Sequence, residues 1–160
     1  MKLTARDIMV TEFDTIQCDA PVEQAVRLIF NGKTRATGHK TVSVMVVNRY
    51  GNLVGVLSMF DILYHMRPPI LNCMVDAIQF GQEELNYYIQ RFKGLKAEQV
   101  MHSPVSSVTA EDDLMVIIDR MVKEKIRRLP VLEHDKIIGI VYLSEVYYHM
   151  CKNWLKIELA

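Results

Sequence analysis

Cysteine is scarce in this chain: three residues in 160, Cys18, Cys73 and Cys151, far apart and odd in number. With no CxxC pair, they argue against a disulfide framework and against a thiolate metal site, and reduced, buried thiols are expected. The five histidines, His39, His65, His102, His134 and His149, show no HxxxH or HExxH spacing, so nothing sets two imidazoles on one helical face for a metal. Net charge is absent as well, because 19 basic residues balance 19 acidic ones. The broad positive field that sequence-independent binding to nucleic acid or an anionic membrane needs is therefore missing, and any bound anion should be small and met locally. No apolar run approaches the roughly 18 to 20 residues that cross a bilayer, and MKLTARDIMV lacks the apolar stretch of a secretion signal. A cytoplasmic protein is expected, with no membrane partner and with nucleic acid an unlikely one. There is no GxxxxGK[ST] loop, no GxSxG elbow and no nucleophile with a matching base, so the sequence does not read as an enzyme.

What the chain does have is apolar content and repetition. Half its residues are hydrophobic, enough for one domain or for two small units sharing a core. Ile8 and Met9 recur as Val100 and Met101 at an offset of 92, which also maps Val22, Ala25, Val26 and Ile29 onto Leu114, Ile117, Ile118 and Met121. Both quartets are apolar at i, i+3, i+4 and i+7, the stripe of a helix facing a core. Further on the offset is 84, mapping Gly55 onto Gly139 and Tyr64-His65-Met66 onto Tyr148-His149-Met150. The first copy is thus eight residues longer between its helix and its strands, and the extra length falls in NGKTRATGHK, a polar, glycine-containing loop.

Each copy carries the same order of signals. An extended piece, Asp14 to Gln17 or Val105 to Val108, leads to a helix, started by Pro21 at an early helical position in one copy and by a Thr109-x-x-Asp112 capping box in the other. Two β-rich runs follow, TVSVMVV and LVGVLS around Tyr50-Gly51-Asn52, then LPVL and KIIGIVYL around His134-Asp135. A second helix begins near Ser58 or Ser144. The fold expected is α+β: two strand-helix-strand-strand-helix repeats packed sheet to sheet around a pseudo-twofold axis. Repeat one spans residues 1–67, a helical connector 68–96, and repeat two with a C-terminal helix 97–160. In the connector, Pro68 and Pro69 stop the preceding helix, and Leu85, Tyr88, Ile89 and Phe92 mark another that ends at Gly94. Trp154 and Leu155 near the C-terminus are available to a partner surface. Pro130 suits a sheet edge, since it cannot donate a ladder hydrogen bond; His65 and His149 read as packing residues, and the ten methionines as core filler.

The duplicated order of elements, the run IRRLPVLEHDKIIGIV and the segment GVLSMFD resemble a tandem pair of CBS domains, the regulatory units named after cystathionine β-synthase. The resemblance covers nearly the whole chain apart from the connector and the tail. It implies adenine nucleotides or related adenosyl compounds bound in clefts between the repeats, and dimerisation into a flat disc. The family's ribose pattern is matched by Gly55, Val56, Leu57, Ser58 and Asp61, whereas the second copy carries Tyr142 and Glu145 at the polar positions. Its basic phosphate positions are matched by Arg127 and Arg128, whereas the first copy offers Val42 and Ser43. Val105 and Ser106, with side contact from Ile16, would form the adenine slot. These assignments imply one competent cleft and one that has lost both polar corners.

The chemistry suits the residue types. A carboxylate such as Asp61 accepts both hydroxyls of a ribose diol, guanidinium groups supply fixed donors to a phosphate, and an apolar slot takes the base. No cofactor is required; AMP, ADP or ATP is the expected ligand, acting on an unidentified regulated protein. Two plainer readings stand beside this one. Ser58-x-x-Asp61 is also a capping box, and the pair could serve as a dimerisation scaffold whose clefts are empty or filled by side chains.

Overall fold

Each repeat opens on a one-turn helix that precedes the strand from which the sequence reading starts. The computed structural model describes residues 2–72 and 81–158, and its elements run in the order α1 (Ala5–Ile8), β1 (Thr15–Gln17), α2 (Val22–Phe30), β2 (Ser43–Val47), β3 (Leu53–Ser58) and α3 (Met59–Met66). After a short 3-10 turn at Pro69–Asn72 come α4 (Gln82–Lys93), α5 (Ala97–Val100), β4 (Val108–Thr109), α6 (Leu114–Glu124), β5 (Arg128–Glu133), β6 (Lys136–Tyr142) and α7 (Leu143–Glu158). Cys73 lies outside the described residues. Cys18 and Cys151 are free and half-buried rather than fully buried. No described helix is long and apolar enough to cross a membrane.

The two sheets have one topology. β1 runs parallel to β2 and β2 antiparallel to β3, and β4, β5 and β6 repeat that order. All five residues of β2, SVMVV, are buried. A central strand covered on both faces takes a nearly continuous apolar run, three of its five residues valine, in place of alternation. The hairpins turn where the backbone must be left-handed: Gly51 has φ 80°, and His134 and Asp135 have φ 50° and 63°. Pro130 does not stand on an edge strand but in the middle strand β5, paired with Ile140. It is tolerated there because β4 begins opposite Val131, so the missing donor faces no neighbour.

Helix starts also shift from expectation, by about one residue at α2 and by four at α6. Pro21 is the N-cap of α2 rather than its first turn, and α6 is capped by Asp113, whose side chain accepts from the Val116 amide at 3.1 Å. Thr109 and Asp112 do pair, the Thr109 amide donating to Asp112 Oδ2 at 2.8 Å, but this closes the turn before the helix. Of the connector stripe, Phe92 is buried in the core of repeat one while Leu85 is exposed. Methionine is divided in the same way, with Met45 and Met121 in the core and Met59 and Met115 on the surface. His65 lies on the surface, edge-on to Tyr64.

Packing crosses the sequence boundary between the copies. Ala5 and Ile8 of α1 are buried in the core of repeat two with Ile117 and Leu129, and Ala97 and Val100 of α5 in the core of repeat one with Ile16 and Leu57. Val10 bridges Ile140, and Val56 bridges His102. A third core, Met45, Val56, Ile140 and Tyr142, joins the sheets. The glycines follow from this exchange: a Cβ on Gly55 would stand 2.3 Å from the Met101 sulfur, and one on Gly139 2.6 Å from the Met9 sulfur. Gly55 is therefore required by a thioether of the other repeat's leading segment, one reciprocal contact of the pseudo-twofold. The expected boundaries at 67 and 97 are those of the sequence copies, while each packed core takes its first helix from the other copy.

Candidate functional site

β3 delivers Ser58 to the head of α3, where it becomes the N-cap. The Ser58 amide and hydroxyl each donate to Asp61 Oδ2 at 2.8 Å, and the Asp61 amide donates back to Ser58 Oγ at 3.3 Å. The capping box is thus formed, and all its side-chain acceptance at Asp61 falls on Oδ2, none on Oδ1. The same two residues line a cleft of about 560 Å³ between the repeats. Across it stand Val105, Ser106, Arg127 and Arg128, all from repeat two. Six of the eight sequence-assigned positions, Ser58, Asp61, Val105, Ser106, Arg127 and Arg128, meet in this one hollow.

Ile16 and Leu57 do not line it; both are buried in the core of repeat one. Strand alternation is the reason, since Val56 and Ser58 face the cleft and Leu57 between them faces α2. Ile16 is likewise the inward residue of β1, with Thr15 and Gln17 exposed. Ser106 is held by a residue that the sequence reading missed: its hydroxyl donates to Glu124 at 2.5 Å, and Glu124 also lines the cleft. His102 enters the same wall through its bridge to Val56. Neither carries a motif; the crossing of the leading segments brings His102 there, and the C-terminal end of α6 brings Glu124.

Arg128 lies half-buried at the start of β5 and Arg127 beside it is exposed. Burial pulls the Arg128 guanidinium below its ordinary value, opposed in part by Tyr142 and Asp61. Among the described residues neither arginine forms a salt bridge. A cation that has lost part of its hydration without gaining an ion-pair partner favours an incoming anion. No cluster of metal-ligating side chains occurs among the described residues.

The second inter-repeat cleft, about 510 Å³, differs from expectation. It has not lost its charged corners; they hold each other. The extra residues of repeat one form a small hairpin in which Thr34 bridges Lys40, the Arg35 amide donates to the His39 carbonyl at 2.8 Å, and Gly38 turns at φ 88°. Arg35 Nε reaches Glu145 Oε1 at 2.9 Å, and Nη2 donates to Ser144 Oγ at 3.1 Å. The guanidinium lies 3.8 Å from the centre of the Tyr142 ring. Thr37 and Ser144 each donate a hydroxyl to the Glu145 carboxylate at 2.6 Å. Burial alone would raise the Glu145 carboxyl, but the hydrogen bonds from Ser144, Thr37 and Arg35 outweigh it and hold the group below its ordinary value. Glu145 stands 84 positions after Asp61 and Tyr142 84 after Ser58, so the protein's own guanidinium occupies the acid of the second cleft. An arginine inside a repeat-specific insertion was the available signal.

No curated protein matches the sequence. Solved structures do share the fold. The CBS-pair protein CBSX2 from Arabidopsis thaliana is 22% identical with a TM-score of 0.71, over 95% of this chain and 96% of that one. The CBS domain of a CBS domain containing membrane protein from Sphaerobacter thermophilus is 24% identical with a TM-score of 0.70, over 92% and 87%. A putative acetoin utilization protein from Vibrio cholerae is 20% identical with a TM-score of 0.69, over 99% and 96%. The CBS domain family model matches twice, at residues 5–68 and 97–151, over the two halves whose sheets enclose the clefts, and the chain belongs to the CBS domain family as a tandem pair.

Proposed function

We propose that this CBS pair is a non-enzymatic, cytoplasmic regulatory module that binds one adenine nucleotide, AMP, ADP or ATP, in the cleft shared by Asp61 and Arg128, and signals its occupancy to a partner protein. The observation that carries the reading is the convergence of an acid from repeat one and an unpaired, partly desolvated arginine from repeat two on one hollow. Structures of the same fold support the ligand class. CBSX2 has been solved with AMP, another CBS pair with 5′-methylthioadenosine and S-adenosyl-L-methionine, and the cytosolic domain of the Mg2+ channel MgtE with ATP.

In this reading Asp61 Oδ1 accepts the ribose hydroxyls, Arg127 and Arg128 meet the phosphate, and Val105 with the apolar wall takes the base. The chain acts as a homodimer through α3 and α7, which expose Phe60, Leu63, Tyr147 and Trp154. A ligand shifts such an assembly only by its differential affinity for two arrangements. Dissociation constants of about micromolar to millimolar, roughly 4 to 8 kcal/mol, suit abundant nucleotides. Isothermal titration tests the reading: one site per chain is expected, weakened about tenfold to a hundredfold by Arg128→Ala. Unchanged isotherms in that variant with folding intact would remove the assignment.

A dimerisation scaffold without a ligand is the second reading, and the second cleft, whose acid Glu145 is already paired with Arg35, favours it. Thermal melts separate the two, because a ligand that binds only the folded form must raise the midpoint. No rise with any adenine compound would leave the scaffold.

A further inference from the structure

The cleft that gathers Asp61 and the arginine pair adjoins a further hollow of about 500 Å³, and Arg127 and Arg128 are the two residues common to both linings. The hollow's other basic walls come from the insertion of repeat one, through Arg35, His39 and Lys40. Among the described residues no carboxylate lines it. In a chain whose acids and bases cancel, the cations Lys40, Arg127 and Arg128 stand at a basin whose remaining wall is largely apolar, through Val42, Tyr142, Leu143 and Tyr147, and make a local positive field there. Arg35 is neutralised by Glu145 behind it. Lys40 is not neutralised: its Nζ donates to the Phe30 carbonyl at 2.8 Å and, among the described residues, it forms no salt bridge. His39 and Lys40 are both exposed, on a hairpin held by backbone bonds.

In the reading proposed above, a single phosphate is met by Arg127 and Arg128, and because those two residues also line the basin, each additional phosphate would add negative charge on its side. We propose that the basin receives the terminal phosphates of a nucleoside di- or triphosphate, with Lys40 and His39 as the residues that distinguish such a ligand from a monophosphate. This rests on the assignment of the first cleft to an adenine nucleotide. The insertion then has two effects from one hairpin, placing Arg35 in the second cleft and Lys40 beside the phosphate path of the first.

The test is isothermal titration of the full chain, in buffer without divalent metal, with AMP, ADP, ATP and inorganic tripolyphosphate, for the wild type, Lys40→Ala and Lys40→Arg. ATP is expected to bind at least about tenfold more tightly than AMP, the scale of one charge-assisted contact. Lys40→Ala should erase most of that difference while leaving AMP within about twofold, and Lys40→Arg should restore it. Equal affinities for AMP and ATP in the wild type, or an equal loss for both in Lys40→Ala, would overturn the proposal. If no adenine nucleotide binds, the reading of the first cleft fails, and tripolyphosphate decides the basin separately. Binding that disappears in Lys40→Ala sustains the basin, and no binding, or binding unchanged in Lys40→Ala, overturns it.

Discussion

Arg35 Nε and Glu145 Oε1 lie 2.9 Å apart across the boundary between the repeats, with both side chains less than a tenth exposed. A carboxylate so placed keeps its charge because Ser144, Thr37 and Arg35 together replace its water. Removing the cation leaves the acid buried and unpaired. Arg35→Ala is expected to lower unfolding stability by about 3 to 5 kcal/mol in urea titrations, and Arg35→Met with Glu145→Leu to recover most of it. A loss below about 1 kcal/mol would mean that the pair behaves like an exposed one.

The same pair sets a pH dependence. Glu145 has its folded value below the ordinary 4.5. A depressed acid contributes stability that is present above the unfolded value and lost as pH falls through the folded one. The stability gap between wild type and Glu145→Gln should therefore be constant near neutrality and narrow as the pH drops below about 4.5. Melts of both proteins across that range check the sign; a gap that widens in acid contradicts it.

A paired comparison separates the capping role of Asp61 from the ribose-accepting role proposed for it. As the partner of Ser58 in the capping box it contributes about 1 kcal/mol to ligand-free stability, and so does Ser58. As the ribose acceptor only its carboxylate counts. Ser58→Ala and Asp61→Ala should destabilise the free protein alike, while Asp61→Ala weakens AMP about tenfold to a hundredfold and Ser58→Ala weakens it less. Equal effects of the two on AMP titration would reduce Asp61 to a cap.

Among the described residues Ser43 Oγ, buried directly across the β2–β3 ladder from Ser58, has no hydrogen-bond partner. An unsatisfied buried hydroxyl costs about 1 to 3 kcal/mol. Ser43→Ala should raise the urea midpoint, with about 1 kcal/mol gained and the slope unchanged. A lower midpoint would show that the hydroxyl has a partner in solution.

Much of the architecture was legible because its signals are local. The Val22, Ala25, Ile29 stripe and its copy at Leu114, Ile117 and Met121 require helices whatever surrounds them, and the β-branched runs and turn residues require hairpins. Asp61 and Arg127-Arg128 were legible as a pair because the family resemblance relates positions of opposite repeats. Ile16 and Leu57 were misplaced because a motif read along a strand ignores which face each residue takes.

The sequence by itself determined that there are two copies of one unit, where their helices and strands lie, and that the polar corners of the copies differ. Only the tertiary structure decided that each unit borrows the other's leading helix, that Met101 demands Gly55, and that Arg35 neutralises Glu145 at the second cleft. The reason is range. Periodicity and capping act within a few residues of chain, whereas a buried guanidinium and the carboxylate it neutralises are brought together by packing across more than a hundred.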